Sequence, residues 1–460
     1  MSDNATIADD TEPAPSSADA AAAARRDEGG RLWRYIPTLA LVRGFGSTLA
    51  LSTTPTLLKS LNVDNATIGY LSLLNVPATF KFVWAPLADS YGTKRQWALA
   101  AAFGIAGSLL FLSGVLFLPG VSVFGLVLGC GVIALAYAVS DFANEGFFVC
   151  AVPARIRGVA VAMLTVFARA ATVLLSGMIF LAGVFADRFQ SNQTGWAAAL
   201  GIFGLAVVLV SLVSLAVFPR PEADRPARNA GAPVPWREAF RTYMETPRFW
   251  YVVAFLIMFR FGECVVLRMG PVFWIEGADT GGLALSLQQV SFVGVIATTS
   301  AILGGALSGV LVKRYGIRRT MVPMSLAMLA PNLLYVLIAL FPSYQGIDLH
   351  VFGQTWHVSH VALVAGVNAG EFLGYGLGFT FYFSVVVALA HGRYRASHMA
   401  FGNSLMSIGY LIPNLFSGVL EQHVGWSGLF IISTLFGIPG FLLIFFLPAS
   451  VLDQEAPSRS

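Results

Sequence analysis

Charge is what this sequence has least of. Only 11% of its 460 residues are Asp, Glu, Lys or Arg, against about 25% in ordinary soluble domains. A chain so poor in charge cannot cover an aqueous surface. Cysteine is nearly absent too: Cys130, Cys150 and Cys264 all lie in apolar stretches and show no CxxC spacing. A disulfide framework and a zinc site are therefore not expected. No GxxxxGK[ST] loop occurs, which excludes ATP drive from this chain. No polar stretch is long enough for a catalytic domain, so an enzyme is not expected. The net charge is only +4, too little to point to nucleic acid. The first 30 residues lack the short apolar core of a signal peptide.

What remains is apolar. Hydrophobic residues make up 56% of the chain, with 46 glycines and a mean hydropathy of +0.73. A membrane-crossing helix needs about 20 mostly apolar residues. Twelve such runs are read near 35–58, 67–89, 97–118, 121–150, 156–186, 197–218, 249–274, 287–312, 320–341, 359–390, 397–420 and 427–448. The runs are continuous rather than alternating, which predicts helices and excludes a barrel. The basic residues fix the orientation. Twenty-one fall in the terminal segments and one alternate set of loops, against only Lys59 and Arg188 in the other set. Both termini are thus expected in the cytoplasm.

The expected organisation has five parts. Residues 1–30 are a disordered cytoplasmic tail, 31–218 a six-helix bundle, 219–247 a proline-rich cytoplasmic linker, 248–449 a second six-helix bundle, and 450–460 a short tail. The halves echo each other. Asp89-Ser90-Tyr91-Gly92-Thr93-Lys94-Arg95 follows span 2, and Lys313-Arg314-Tyr315-Gly316-Ile317-Arg318-Arg319 follows span 8. Duplicated bundles about an axis along the membrane normal explain such a repeat.

Ten ionisable residues interrupt the apolar runs: Arg43, Lys81, Asp89, Asp141, Glu145, Arg169, Arg260, Glu263, Arg268 and Glu371. A charge at mid-membrane costs roughly 2.5–3.5 kcal/mol on insertion scales, so each is a candidate for function. Asp141 and Glu145 are four apart and share a helix face. They suit proton coupling or solute contact; the alternative is a latch onto Lys94, Arg155 or Arg157. Arg260 and Glu263 are neighbours on span 7, either a static pair or part of a polar cavity. Glu371 lies in a glycine-rich stretch of span 10 and is a second candidate proton carrier. Arg43 and Arg169 stay charged in any environment and suit an anionic group or a standing partner for the acids. Lys81 fits either role. Asp89, Gly92, Lys94 and Arg95 read as a conformational latch. Arg268, nearer the outer end of span 7, is expected to snorkel. His398 reads as an interfacial, solvated side chain. His350, His357 and His360 are spaced too loosely for a metal site, and no metal is expected.

The loop D-x-x-G-x-[RK]-[RK] at Asp89–Arg95 resembles the signature of the major facilitator superfamily. A narrower resemblance is to AmpG-type muropeptide permeases of the peptide/acetyl-coenzyme A/drug transporter family. Thr67-Ile68-Gly69 and Pro77 through Asp89 are similar to their "IG…LPYxLKFLWAPLxD". Asp141 through Gly146 resembles "DIAxDA", Arg169 the Arg of "YRxG", and Phe259 through Glu263 "YKxGD". Glu145 and His398 depart from that pattern, where the family has Asp and Gln.

The resemblance implies an all-α membrane protein of twelve helices, six plus six. It implies a bacterial inner-membrane secondary transporter without cofactor, driven by the proton gradient. The solute implied is anionic and sugar-containing, with anhydro-muropeptides first and another oligosaccharide or a siderophore second. A reading of another class is a non-transporting sensor or scaffold. A monomer is expected, with the lipid bilayer as its surroundings, and charged residues of both lobes are expected to converge on one wet vestibule.

Overall fold

A computed structural model describes residues 17–81, 91–120, 123–153, 156–221, 224, 236–341, 346–351, 354–390 and 395–452. Helix α1 begins at Ser17 and runs to Thr48, a π-turn covers Leu49–Thr53, and Thr54–Ser60 completes the pass. The π-turn has a local cause. Pro55 has no N–H to donate to the turn before it, so the hydrogen-bond ladder must slip. Helix α2 starts at Asn65, capped by Asp64, and passes through a 3-10 turn at Leu71–Asn75 beside Pro77.

Then follow α3 (Lys94–Phe117), α4 (Val123–Ala151), α5 (Arg157–Phe189) and α6 (Asn192–Val217). In the second half α7 is split into Phe249–Met258 and Phe261–Ile275. Helix α8 is Leu287–Tyr315, and α9 is split into Ile317–Leu329 and Asn332–Leu340. Helix α10 is His360–Leu389, and Arg395–Leu443 holds α11 (395–424) and α12 (426–443), joined at Gly425 with φ +68°. Nine described stretches are long and apolar enough to span a membrane. One of them is the 50-residue α11–α12 stretch, which makes two passes. With α1 and α2 the passes are twelve.

Three departures from the sequence reading have simple causes. Residues 17–30, expected to be disordered, extend α1, because their alanine run is the best intrinsic helix former. Within the linker, Trp236–Met244 forms a short helix. A β-hairpin, Gly346–Val351 with Gln354–Ser359, precedes α10. Its strands alternate too briefly to stand out beside the apolar spans.

The hydrophobic core is divided unequally. At the end that carries α1's start, the linker and α12's finish, each half has its own core. Leu32, Tyr35, Ala98, Phe147 and Phe218 pack together in the first half. Tyr243, Phe255, Tyr382 and Val451 do so in the second. At the opposite end one core runs through both halves, from Leu57 and Ile68 to Val272, Phe273, Trp426 and Phe430. The lobes are thus fused at one end and separate at the other.

Candidate functional site

The N-lobe brings together four of the predicted residues. Arg43 on α1 donates to Glu145 Oε1 at 2.9 Å and Asp141 Oδ1 at 3.4 Å. Lys81 on α2 donates to Asp141 Oδ2 at 2.9 Å and Glu145 Oε2 at 3.2 Å. Two cations and two anions therefore cancel in a closed quartet. The side chains of Lys81 and Asp141 are 11% and 15% exposed, whereas Arg43 and Glu145 keep 30% and 40%. The quartet has a buried half and an open half. Among the described residues the cations that meet Asp141 and Glu145 come from α1 and α2; Arg155, named in the latch alternative, lies outside the described residues.

The C-lobe holds a separate cluster. Arg260 sits at the break in α7 and grips Glu263 with two bonds, Nε to Oε2 at 2.9 Å and Nη2 to Oε1 at 3.2 Å. Its guanidinium lies 5.7 Å from the Tyr375 ring centre and 5.0 Å from that of Phe379, a cation–π arrangement. Glu371 on α10 is fully buried. It faces Asn332, the first residue of the second half of α9; with the amide turned to satisfy both groups, Nδ2 donates to both carboxylate oxygens at 2.9 and 3.2 Å. A small cavity lined by Glu263, Ser325 and Asn332 lies in the same region. Broken membrane helices place polar half-helix ends next to ions, which is how many transporters build binding sites. Asn332 escaped the sequence reading, although Pro331 before it marks the break.

The ion pairs thus fall into two clusters, one in each lobe. Among the described residues no ion pair links the two clusters. Arg169 on α5 is half-buried and joins neither, with no ion pair or hydrogen bond to its side chain among the described residues.

The latch is partly visible. Asp89 lies outside the described residues. Gly92 has φ +77°, a conformation that favours glycine. Backbone N–H groups of Lys94 and Arg95 donate to Asp224 at 2.6 and 2.9 Å. The Arg95 guanidinium caps the end of α6 through the carbonyls of Leu215, at 2.8 Å, and Phe218, at 3.2 Å. Asp224, from the linker, was not anticipated; it is the acid that meets the start of α3.

At the fused end the lobes are tied by groups the sequence reading passed over. Lys59 pairs with Glu276 and donates to Asn65 Oδ1 at 2.9 Å. Asn65 Nδ2 bridges Glu276 at 3.0 Å and Glu421 at 2.7 Å. Burial alone would raise the Glu276 carboxyl; hydrogen bonds from Lys59, Asn65 and Thr280 hold it below the usual carboxylate range. Gly69 and Gly418 let α2 and α11 touch backbone to backbone there. Helices α5 and α8 are bonded from Ser291 to the Ser176 carbonyl at 2.6 Å and from Gln288 to Asp187 at 2.7 Å. The signal was available in Lys59, one of only two basic residues on that side.

Two further expectations are corrected. Arg268 does not snorkel: it is 1% exposed and donates to the Ile68 carbonyl across the lobes at 2.6 Å. His398 is not solvated but 2% exposed, within 3.0 Å of the Thr242 hydroxyl and beside the Tyr243 ring.

Two lobes of six helices around ionic clusters, joined by a linker, agree with the family comparison: residues 38–390 match the model of the Major Facilitator Superfamily. The chain belongs to that superfamily. It is 24% identical over 420 residues to the anhydromuropeptide permease of Escherichia coli K12, covering 88% of this chain and 78% of that one. It is 23% identical over 428 residues to the putative transporter AmpG 2 of Rickettsia prowazekii, covering 91% and 96%. Among solved structures it is similar to a bacterial homologue of the human lysosomal transporter Spinster, with TM-score 0.64, 15% identity and coverage of 92% and 97%. The nucleoside transporter NupG gives TM-score 0.65, 15% identity and coverage of 91% and 100%. This major facilitator is accordingly a multi-pass membrane protein and a secondary transporter.

Proposed function

We propose that this transporter is a proton-driven importer in a bacterial inner membrane. Its solute is anionic and contains sugar, with anhydro-muropeptides first, and it works by alternating access between the two lobes. The N-lobe quartet is the observation that carries the reading. Its charges cancel among themselves, and its open members are one acid and one base. A solute carboxylate that reaches Arg43 competes with Glu145 for the guanidinium. The displaced Glu145 is left to share Lys81 with Asp141, and with the solute carboxylate present the site holds one negative charge in excess, which a proton removes. Solute and proton loading favour one another, which is what symport requires. Glu371 is the second proton candidate, and half-buried Arg169 the second anion contact.

The solute class is supported by the names of the permease relatives. The excess of basic residues at the linker end supports an orientation with both termini in the cytoplasm. With that orientation the separated ends of the lobes face inward, and the Lys59–Glu276–Asn65–Glu421 lock closes the outside. Uptake of labelled anhydro-muropeptide into proteoliposomes tests the reading. Accumulation should need an inward proton gradient and vanish with an ionophore. Accumulation that survives collapse of the gradient refutes coupling; no muropeptide uptake at all refutes the solute.

A further inference from the structure

Arg268 lies deep in the contact between lobes, on the outer half of α7, and its guanidinium is only partly used. One nitrogen donates to the Ile68 carbonyl of α2 at 2.6 Å, while Nε and Nη1 have no hydrogen-bond partner. No carboxylate pairs with it among the described residues; the side chains beside it are Tyr410 on α11 and Cys130 on α4. An arginine cannot shed its charge. A buried cation with open donors is costly unless an anion or a set of acceptors completes it. The ion pairs of the two clusters show that this chain supplies acids to Arg43, Lys81 and Arg260, whereas half-buried Arg169 has water within reach. At Arg268 the chain supplies no acid among the described residues, only the neutral Tyr410 hydroxyl and a backbone carbonyl of the opposite lobe.

We infer that Arg268 is a binding residue for the anionic group of the solute, with the Ile68 carbonyl as its placeholder while the outer end is closed. The inference rests on the proposed anionic solute for the identity of that group. Ile68 sits on α2 next to Gly69, at the α2–α11 contact that must part for the outer end to open. Parting removes the carbonyl and leaves the Nε and Nη1 donors and one Nη2 donor open, a fork suited to a carboxylate or phosphate. Closing the outer end again requires Ile68 to recover Arg268, so the solute must move on toward the cleft. Arg268 thereby couples anion occupancy to the position of the lobes.

The test compares two sugars that differ in a carboxylate. N-acetylmuramic acid and N-acetylglucosamine are titrated into purified full-length protein, wild type and Arg268→Gln, with thermal unfolding as readout. Muropeptide uptake is measured on the same variants with free and amidated carboxylates. Wild type should favour the carboxylate form by about 10-fold, the worth of one charge-assisted hydrogen bond, and Arg268→Gln should lose that preference. Arg268→Lys should recover part of it. A purely structural lock predicts otherwise: Arg268→Gln would slow both forms equally and keep the preference, and that result overturns the inference. So does a wild type that shows no preference. A wild type that binds the carboxylate through Arg268 but takes up no muropeptide leaves the inference standing and removes the solute reading.

Discussion

Replacing Lys81 with methionine removes one cation from a neutral quartet and leaves Asp141 and Glu145 to share Arg43. The geometry sets the cost. Lys81 makes the shorter contact to Asp141, 2.9 Å against 3.4 Å from Arg43. Its side chain is 11% exposed, so water replaces little of what is lost. Breaking a buried pair by removing one partner costs roughly 3–5 kcal/mol, and the partial exposure of Glu145 places this case near the lower end. Lys81→Met should therefore lower the melting temperature by several degrees and abolish uptake. Lys81→Met combined with Asp141→Asn restores charge balance. The double variant should recover most of the stability while uptake stays absent, because no acid–base exchange remains on that side. Melting by fluorescence-detected size exclusion, run on both singles and the double, completes a mutant cycle. A double variant no more stable than Lys81→Met would refute the reasoning, since charge balance would not be what the quartet provides.

Three other perturbations address the outer end. Lys59→Ala removes the cation that holds Glu276 and orients Asn65; it should shift the lobes toward the outward-open state by about 5- to 30-fold, the worth of 1–2 kcal/mol, read as faster outside labelling of a cysteine placed at Ser291. Gly418→Ala puts a Cβ against the Asn65 carbonyl, so the outer end should fail to close and net uptake should stop while the protein still folds; normal uptake would show that α2 and α11 do not meet there in transport. The lowered Glu276 pKa means its contribution to closure is present above about 4.5, the ordinary carboxylate value, and is lost as pH falls below it. The part of Ser291 labelling that depends on Glu276, read as the difference between wild type and Glu276→Gln, should then be flat from pH 8 to pH 5, and a change in that difference centred near pH 6 would contradict this.

The twelve passes were legible because each is a long apolar run, and the breaks between runs carry the arginines and lysines. The duplicated loop was legible because Gly92 and Gly316 both adopt positive φ, and only glycine does so without strain. Individual ionisable residues were legible because each interrupts hydrocarbon. Their partners were not. Helix periodicity puts Asp141 beside Glu145 but is silent on which distant helix brings Arg43 and Lys81. The chain distances of 98 and 60 residues are closed by packing alone. Asn332, Asp224 and Asn65 were missed for a different reason. Asn332 and Asn65 are short polar residues at helix starts, where capping explains them without any site, and Asp224 lies in a polar linker where an acid draws no notice. Arg268 was misread because its sequence position near a span end allows snorkelling; the burial comes from α2 and α11 lying across it.

The two ionic clusters differ in a way that assigns them different work. The N-lobe quartet is half open and redundant: each acid touches both cations, so one member can leave without stranding the rest. That is the arrangement of a site that exchanges partners. The C-lobe cluster is closed and exclusive. Arg260 and Glu263 satisfy each other, and Glu371 has Asn332, with both α7 and α9 broken beside them. A broken helix gives a lobe a place to bend, and a buried acid at the break makes the bend sensitive to what that acid holds. The separate cores at the linker end permit such bending without disturbing the fused core at the other end. On this argument the N-lobe quartet exchanges partners with the solute, in addition to the Arg268 contact at the lobe interface, and the breaks in the C-lobe convert its arrival into motion. Glu145→Gln should then alter the affinity for solute, whereas Glu371→Gln should leave binding intact and slow the return of the empty carrier, seen as exchange that persists after net uptake is lost.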